Sequence, residues 1–209
     1  MDDSGKNGKR DGNGKFIYPD GETYEGSYRN GEKTGFGIFT FRNGNTYEGD
    51  FWNGKKNGEG TFIYPSGNIY KGQWKNDKRS GIGTLTFNEG GKYEGEWKLD
   101  FMEGEGIYNY PNGDVYQGQF FNGKMHGKGL YTYSNGNEYH GNWSADEMKG
   151  KGVYSTVNGN YYEGYFVDSE LNGYGVYRSS LGDTYEGDWI EGRMHGKGVY
   201  TFSNGNTYK

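Results

Sequence analysis

Tyr47-Glu48-Gly49-Asp50-Phe51-Trp52-Asn53-Gly54-Lys55-Lys56-Asn57-Gly58-Glu59-Gly60-Thr61-Phe62-Ile63-Tyr64-Pro65-Ser66-Gly67-Asn68-Ile69 is the stretch whose reading decides the fold. Its first five residues alternate large, polar, Gly, polar, large, the period-2 pattern of a half-buried strand. Asn53-Gly54 opens a connection, Gly58-x-Gly60-x-Phe62-x-Tyr64 alternates again, and Pro65-Ser66-Gly67 turns the chain towards Tyr70. The stretch is therefore a β-hairpin whose outgoing strand is followed at once by another like its first.

The pattern repeats along the chain. Tyr recurs every 23 residues as Tyr24, Tyr47, Tyr70, Tyr93, Tyr116, Tyr139, Tyr162, Tyr185 and Tyr208, and Gly-x-Gly keeps the same interval from Gly12/Gly14 to Gly196/Gly198. A fixed period means one supersecondary unit stacked on itself. The expected fold is all-β: a single-layer, elongated antiparallel sheet of stacked hairpins. The expected organisation is an N-terminal tail over residues 1–11 and a repeat array over 12–209. The array divides into a half copy at 12–23, eight full copies at 24–207 and the start of a further copy at 208–209. An array that stops so soon after a copy begins is expected to be a fragment, or to have its uncapped end covered by a partner or a second copy.

Packing explains the glycines. In a strand the two glycines of Gly-x-Gly share a face, as do the Tyr and Gly of Tyr-x-Gly. Bare positions there leave room for rings from neighbouring strands to lie over the backbone. One ring register runs Tyr28, Phe51, Trp74, Trp97, Phe120, Trp143, Phe166, Trp189, and a second runs Phe39, Phe62, Leu85, Tyr108, Tyr131, Tyr154, Tyr177, Tyr200. Leu, Ile, Val and Phe together number only 30 of 209 residues, a poverty typical of disordered chains. Aromatics at 19% and a net charge of -5 argue for a folded chain, since each Tyr or Trp buries about 150–250 Å².

Tyr-x-Gly-x-(aromatic)-x-x-Gly-x-x-x-Gly-x-Gly-x-(aromatic) at a 23-residue interval resembles the MORN repeat, and the resemblance covers residues 12–209. Gly123-Lys124-Met125-His126-Gly127-Lys128-Gly129 and Gly192-Arg193-Met194-His195-Gly196-Lys197-Gly198 sit closest to the family pattern. The resemblance implies a half-pipe of hairpins that acts as a scaffold and grips a partner segment. Gly58 to Gly67, with Trp74-Lys75-Asn76-Asp77-Lys78-Arg79, is similar to the radial spoke head MORN proteins of cilia and flagella. This implies a non-catalytic subunit of a large assembly, cytoplasmic and cytoskeletal, in the axoneme. Two other settings within the family stay open: a tether at a membrane or the cortical cytoskeleton, and a regulatory segment of a larger enzyme.

Copies differ at one position above all, two residues before Gly-x-Gly. It reads Arg10, Lys33, Lys56, Arg79 and then Met102, Met125, Met148, Leu171, Met194. One reading is ordinary cover for the neighbouring hairpin, by an aliphatic stem or a thioether. The other is a soft strip for a partner on the C-terminal half, formed by Met102, Met125, Met148, Leu171 and Met194 with Trp143 and Trp189 as anchors. Charge divides at the same place: residues 1–104 carry 15 basic and 16 acidic groups, and residues 105–209 carry 8 and 12. Glu25, Glu48, Glu94, Glu163 and Glu186 form an acidic row of solvated surface. Nucleic acid is not an expected partner, nor is direct binding to anionic membrane, because both need a net basic surface. Residues 157–182 are the least regular stretch, with Tyr161-Tyr162, Asp168-Ser169 and Ser180-Leu181 in place of more typical residues, and read as drift.

No catalytic, cofactor or metal site is expected. Cysteine is absent, which removes thiol nucleophiles and zinc knuckles. His126, His140 and His195 are the histidines, and the first and last share a register three copies apart, too far to share a metal. The carboxylates spread along a face without a pocket.

Overall fold

The computed structural model describes residues 9–209, so residues 1–8 of the expected tail lie outside the described part. All its regular elements are strands, in two compact units, one up to Met102 and one from Glu103. The first unit is an antiparallel meander of β1 (Gly12–Ile17), β2 (Thr23–Arg29), β3 (Glu32–Thr40), β4 (Thr46–Trp52), β5 (Lys55–Ile63), β6 (Ile69–Lys75), β7 (Lys78–Thr86) and β8 (Lys92–Lys98). The boundary falls within β9 (Phe101–Asn109). The second unit continues in the same manner through β10 (Val115–Phe121), β11 (Lys124–Thr132), β12 (Glu138–Ser144), β13 (Glu147–Ser155), β14 (Tyr161–Val167), β15 (Glu170–Arg178), β16 (Thr184–Ile190), β17 (Arg193–Thr201) and β18 (Thr207–Tyr208). The hairpin read from residues 47–69 is β4–β5, with β6 beside it.

Register explains the period. The Gly of Tyr-x-Gly pairs with the second Gly of Gly-x-Gly on both flanks, so Gly49, Gly60, Gly72 and Gly83 form a continuous bare row in the first unit. Gly118, Gly129, Gly141 and Gly152 do the same in the second. The repeating Tyr lies along this row. A Cβ on Gly60 would stand 2.6 Å from Tyr47 Cζ, and Tyr47 has no exposed surface. The ring covers its own strand's glycine as well as its neighbour's, which is closer packing than rings from neighbouring strands alone. Its hydroxyl donates to the Asp50 carbonyl at 2.9 Å, and the same i→i+3 bond recurs from Tyr24, Tyr70, Tyr93, Tyr116, Tyr139 and Tyr185.

Tyr24, Tyr47, Tyr70, Tyr116 and Tyr139 are each wedged edge-on between the ring four residues later and the ring of the next hairpin. Tyr47 meets Phe51 at 5.1 Å and Trp74 at 5.3 Å, and Tyr116 meets Phe120 at 5.1 Å and Trp143 at 5.4 Å. Such edge contacts add about 0.5–1.5 kcal/mol beyond area burial, which lets a single layer hold together with few aliphatic residues. Burial pushes the Tyr24 and Tyr139 phenols up to about 12, so they stay protonated donors. Among the indoles, Trp74, Trp97 and Trp143 donate to Gly60, Gly83 and Gly129 carbonyls at 3.2, 3.0 and 3.3 Å.

Two-residue turns close the hairpins. Asn53 and Gly54 have φ of 48° and 77°, the left-handed pair of a type I′ turn whose twist suits flanking strands. Several copies place an acidic or hydroxyl side chain at the second position instead: Asp77, Asp100, Asp146 and Ser169, all at positive φ. Each accepts the backbone N–H of the residue 21 positions earlier, such as Lys56 N–H to Asp77 at 2.9 Å and Met125 N–H to Asp146 at 2.8 Å. A clamp between hairpins thus offsets a strained turn.

Candidate partner-binding site

The position two before Gly-x-Gly faces the rings in both units and is filled by opposite chemistries. From Arg10 to Arg79 in the first unit it holds cations. Lys33 Nζ lies 4.1 Å from the Phe39 ring centre, and Arg79 Cζ lies 4.2 Å from that of Trp97. Lys56 is surrounded: its Nζ stands 4.2 Å from Trp74, 4.7 Å from Phe62, 5.6 Å from Tyr47 and 5.7 Å from Phe41. Burial among those rings pulls the Lys56 ammonium down to about 8, against the opposing pull of Asp77 and Asp100. Burial lowers Lys33 as well. These contacts are cation–π interactions, attractive because the ring faces carry negative charge.

The structure sorts the residues expected to form the C-terminal strip. Met125, Leu171, Trp143 and Trp189 are buried at 7, 4, 5 and 3% exposure, Met102 and Met148 are half-buried, and Met194 is exposed. In the first group the side chains fill the protein's own interior. Met125 lies 3.7 Å from the Tyr110 hydroxyl, which donates to its sulfur. Met102, Met148 and Met194 retain surface that a partner can reach.

One copy departs from the rest, and it lies in the stretch the sequence left as drift. Tyr162 is half-buried where six of its counterparts have no exposed surface and Tyr185 has 7%. Its slot is taken by Leu171: a Cβ on Gly164 would meet Leu171 Cδ1 at 2.8 Å, and one on Gly175 would meet Leu171 Cδ2 at 3.1 Å. Leu branches at Cγ, so its two methyls span the glycine pair, whereas the unbranched stems of Lys, Arg and Met lie over the rings. The displaced Tyr162 ring turns to Tyr177 at 4.9 Å and to Tyr154 and Trp189 at 6.2 Å. Trp189 loses the bond its counterparts make, and its buried indole N–H has no partner. An orphaned donor of this kind costs about 1–3 kcal/mol.

Beside Tyr162 the second unit opens into a concavity of about 470 Å³, bordered by Tyr133, Met148, Tyr154, Phe166, Leu171 and Trp189, with Thr156, Ser169, Glu170 and Gly192 at its polar margin. The equivalent space in the first unit is smaller, about 320 Å³, and its lining of Phe39, Phe41, Phe51 and Asp77 includes the two cations Lys33 and Lys56. Sequence reasoning missed Tyr162 because its type is unchanged; only the Leu at 171, alone of its register in branching at Cγ, signalled the switch.

A second register also went unread. Asn68, Asp114, Asn137, Asn160 and Asp183 each accept a backbone N–H from the following copy's late turn, from Asn88, Ser134, Val157, Ser180 and Ser203 respectively. Asp114 is buried, and hydrogen bonds from Tyr131 and Ser134 hold its carboxyl below the usual range. Its 23-residue spacing was the available signal. Glu25, Glu48, Glu94, Glu163 and Glu186 are all exposed. Among the described residues no group of His, Cys, Asp or Glu is placed to hold a metal ion, and no helix is long and apolar enough to cross a membrane.

Comparison with known proteins places this geometry. Solved structures share the fold at low identity. The G-box domain of the microcephaly protein CPAP, for which a role in centriole elongation was suggested, is 12% identical with a TM-score of 0.51, over 94% of this chain and 97% of that one. The TCP10 domain of Danio rerio CPAP, in complex with a peptide of Danio rerio STIL, is 11% identical with a TM-score of 0.53, over 93% and 91%. No curated protein sequence matches. The model of the MORN repeat matches nine times, at residues 6–23, 24–46, 47–69, 70–92, 93–115, 116–138, 139–161, 162–184 and 185–207. Its frame is that of the eight full copies, and its first match begins earlier than the half copy at 12–23. The chain belongs to the MORN repeat family.

Proposed function

We propose that the protein is a non-catalytic scaffold that holds a segment of a partner protein against the ring-bearing face of its second unit, as a component of the ciliary or flagellar axoneme. The observation that carries the binding reading is the concavity beside Tyr162, where half-buried Tyr133, Tyr154 and Tyr162 and the thioether of Met148 stand open. Aromatic and Met side chains in a recess are the usual anchors of interfaces, and no convergent nucleophile, base or metal ligand accompanies them. A domain of the same fold, the TCP10 domain of Danio rerio CPAP, is known in complex with a peptide. The axonemal setting rests on the local similarity of residues 58–79 to radial spoke head proteins.

The test is fractionation of ciliated cells expressing the tagged chain beside its Met148→Glu/Met194→Glu variant. Both sites keep surface, so the hairpins survive; Met125 is avoided because a carboxylate would be buried there. The parent chain is expected to stay with detergent-extracted axonemes and the variant to wash free. Equal retention of a folded variant removes the binding face, and full release of the parent with the soluble fraction removes the axonemal setting.

A further inference from the structure

Each ring cage in the first unit shows what it takes, because the chain supplies the occupant. Lys56 sits among Phe41, Tyr47, Phe62 and Trp74. Ninety-two residues on, four copies along, the matching residues are Tyr133, Tyr139, Tyr154 and Phe166, and the cation is replaced by the neutral Met148. Three of these four rings border the concavity, and Tyr162, out of its slot, enlarges it. In this copy Lys151 lies at Tyr165 and Arg178 at Tyr161, both on the opposite face of β14. The inner rings of this copy therefore present their negative faces to no cation of their own among the described residues.

We propose that the concavity beside Tyr162 receives an arginine side chain from a basic segment of a partner protein, a reading that rests on the scaffold function above. Charge favours it. Residues 105–209 carry 12 acidic and 8 basic groups, and Glu170 stands at the margin of the concavity. Guanidinium suits the place better than ammonium: it is planar, stacks on ring faces and is more weakly hydrated. The first unit illustrates the alternative, since burial among its rings weakens the protonated state of Lys56. The recess is larger than one guanidinium group needs, so residues flanking the arginine enter with it.

The experiment uses the full chain, ¹⁵N-labelled, with the indole N–H resonance of Trp189 as reporter. One probe is a short glycine–serine peptide with a central arginine; the other carries citrulline, its neutral isostere. The arginine peptide is expected to shift the Trp189 resonance saturably and the citrulline peptide to bind about tenfold more weakly. Met148→Lys, which restores the residue type of the first unit, is expected to abolish binding while circular dichroism stays unchanged. Lys56→Met is expected to create a second arginine site, reported by Trp74.

Equal binding of the two peptides overturns the inference and leaves a segment-binding scaffold. Undiminished binding to folded Met148→Lys overturns it too. Absence of binding by either peptide overturns it while the scaffold reading keeps its own test. A stronger shift with phosphatidylcholine vesicles than with the arginine peptide assigns the cage to a lipid headgroup and also overturns it.

Discussion

The hairpins built around Tyr47 and Tyr162 have the same strand lengths and the same bulge, yet one ring lies on opposite sides of a switch. Tyr47 fills the slot over Gly49 and Gly60, donates to the Asp50 carbonyl, and leaves Lys56 to lie over the rings. Tyr162 leaves its slot to Leu171, and an indole donor is orphaned. The backbone tolerates both, because the glycine row accepts any apolar group of the right thickness. What changes is the surface: a smaller recess lined by the chain's own cations in the first case and a larger one lined by rings and a thioether in the second. Repetition builds the fold, and a single branched side chain opens a site in it.

The largest effect is expected where the slot is tightest. Gly60→Val should destabilise by about 3 kcal/mol or more, because Tyr47 cannot move without losing both neighbouring rings. Gly164→Ala should cost less, about 1–2 kcal/mol, since the nearest atom in its way is the end of a Leu side chain, with the Gly175 Cα and Tyr174 carbonyl just beyond at 3.0 Å. Chemical denaturation compares them, and equal losses would show the two slots to be alike.

Removing the hydroxyls makes the next contrast. Tyr47→Phe loses a bond to a backbone carbonyl and should cost about 1 kcal/mol. Tyr162→Phe gives up no bond of that register and should stay within about 0.5 kcal/mol. A full cost at Tyr162, measured the same way, would return it to the slot.

A smaller gain is expected at the turns. Ala145, at φ of 53°, occupies the place of Asn53 without a side chain that favours the left-handed region. Ala145→Gly should raise stability by about 0.5–1 kcal/mol, read as an upward shift of the melting temperature. The Asp146 clamp to Met125 stays in place.

The smallest change is expected from Lys56→Met, and its pH dependence is the informative part. The folded pKa of Lys56, about 8, lies below its ordinary 10.5, so between these values the unfolded chain binds more protons. Stability of the parent therefore rises relative to the variant as pH increases through 8 towards 10. Any advantage of Met at pH 7 should shrink over that window, and parallel profiles would mean that the ammonium is well solvated.

Much of this was legible in the sequence, for a physical reason. Hairpins, strand faces, bare glycine positions and the Asn-Gly turns follow from spacing and from the few residues that tolerate those backbone conformations. The basic-to-apolar change from Lys56 to Met148 was visible as well, but its meaning was not: a lysine near rings reads as a solvated charge until the distances show it enclosed. Four of the seven residues proposed as partner contacts, Met125, Leu171, Trp143 and Trp189, are buried in the protein's own packing. Burial in a thin layer depends on which neighbour fills a slot, and that competition between Tyr162 and Leu171 is not written in either residue's identity alone.

Residue-resolved amide hydrogen exchange, with and without the arginine peptide, tests the contrast most directly. The amides of β14 and β15 should exchange faster than those of β4 and β5, because the tyrosine lock is open there and Trp189 lacks its bond. Arginine peptide should raise protection in β14 and β15 and leave β4 and β5 unchanged. Uniform protection across both hairpins, unmoved by the peptide, would contradict the claim that this one copy is an open site.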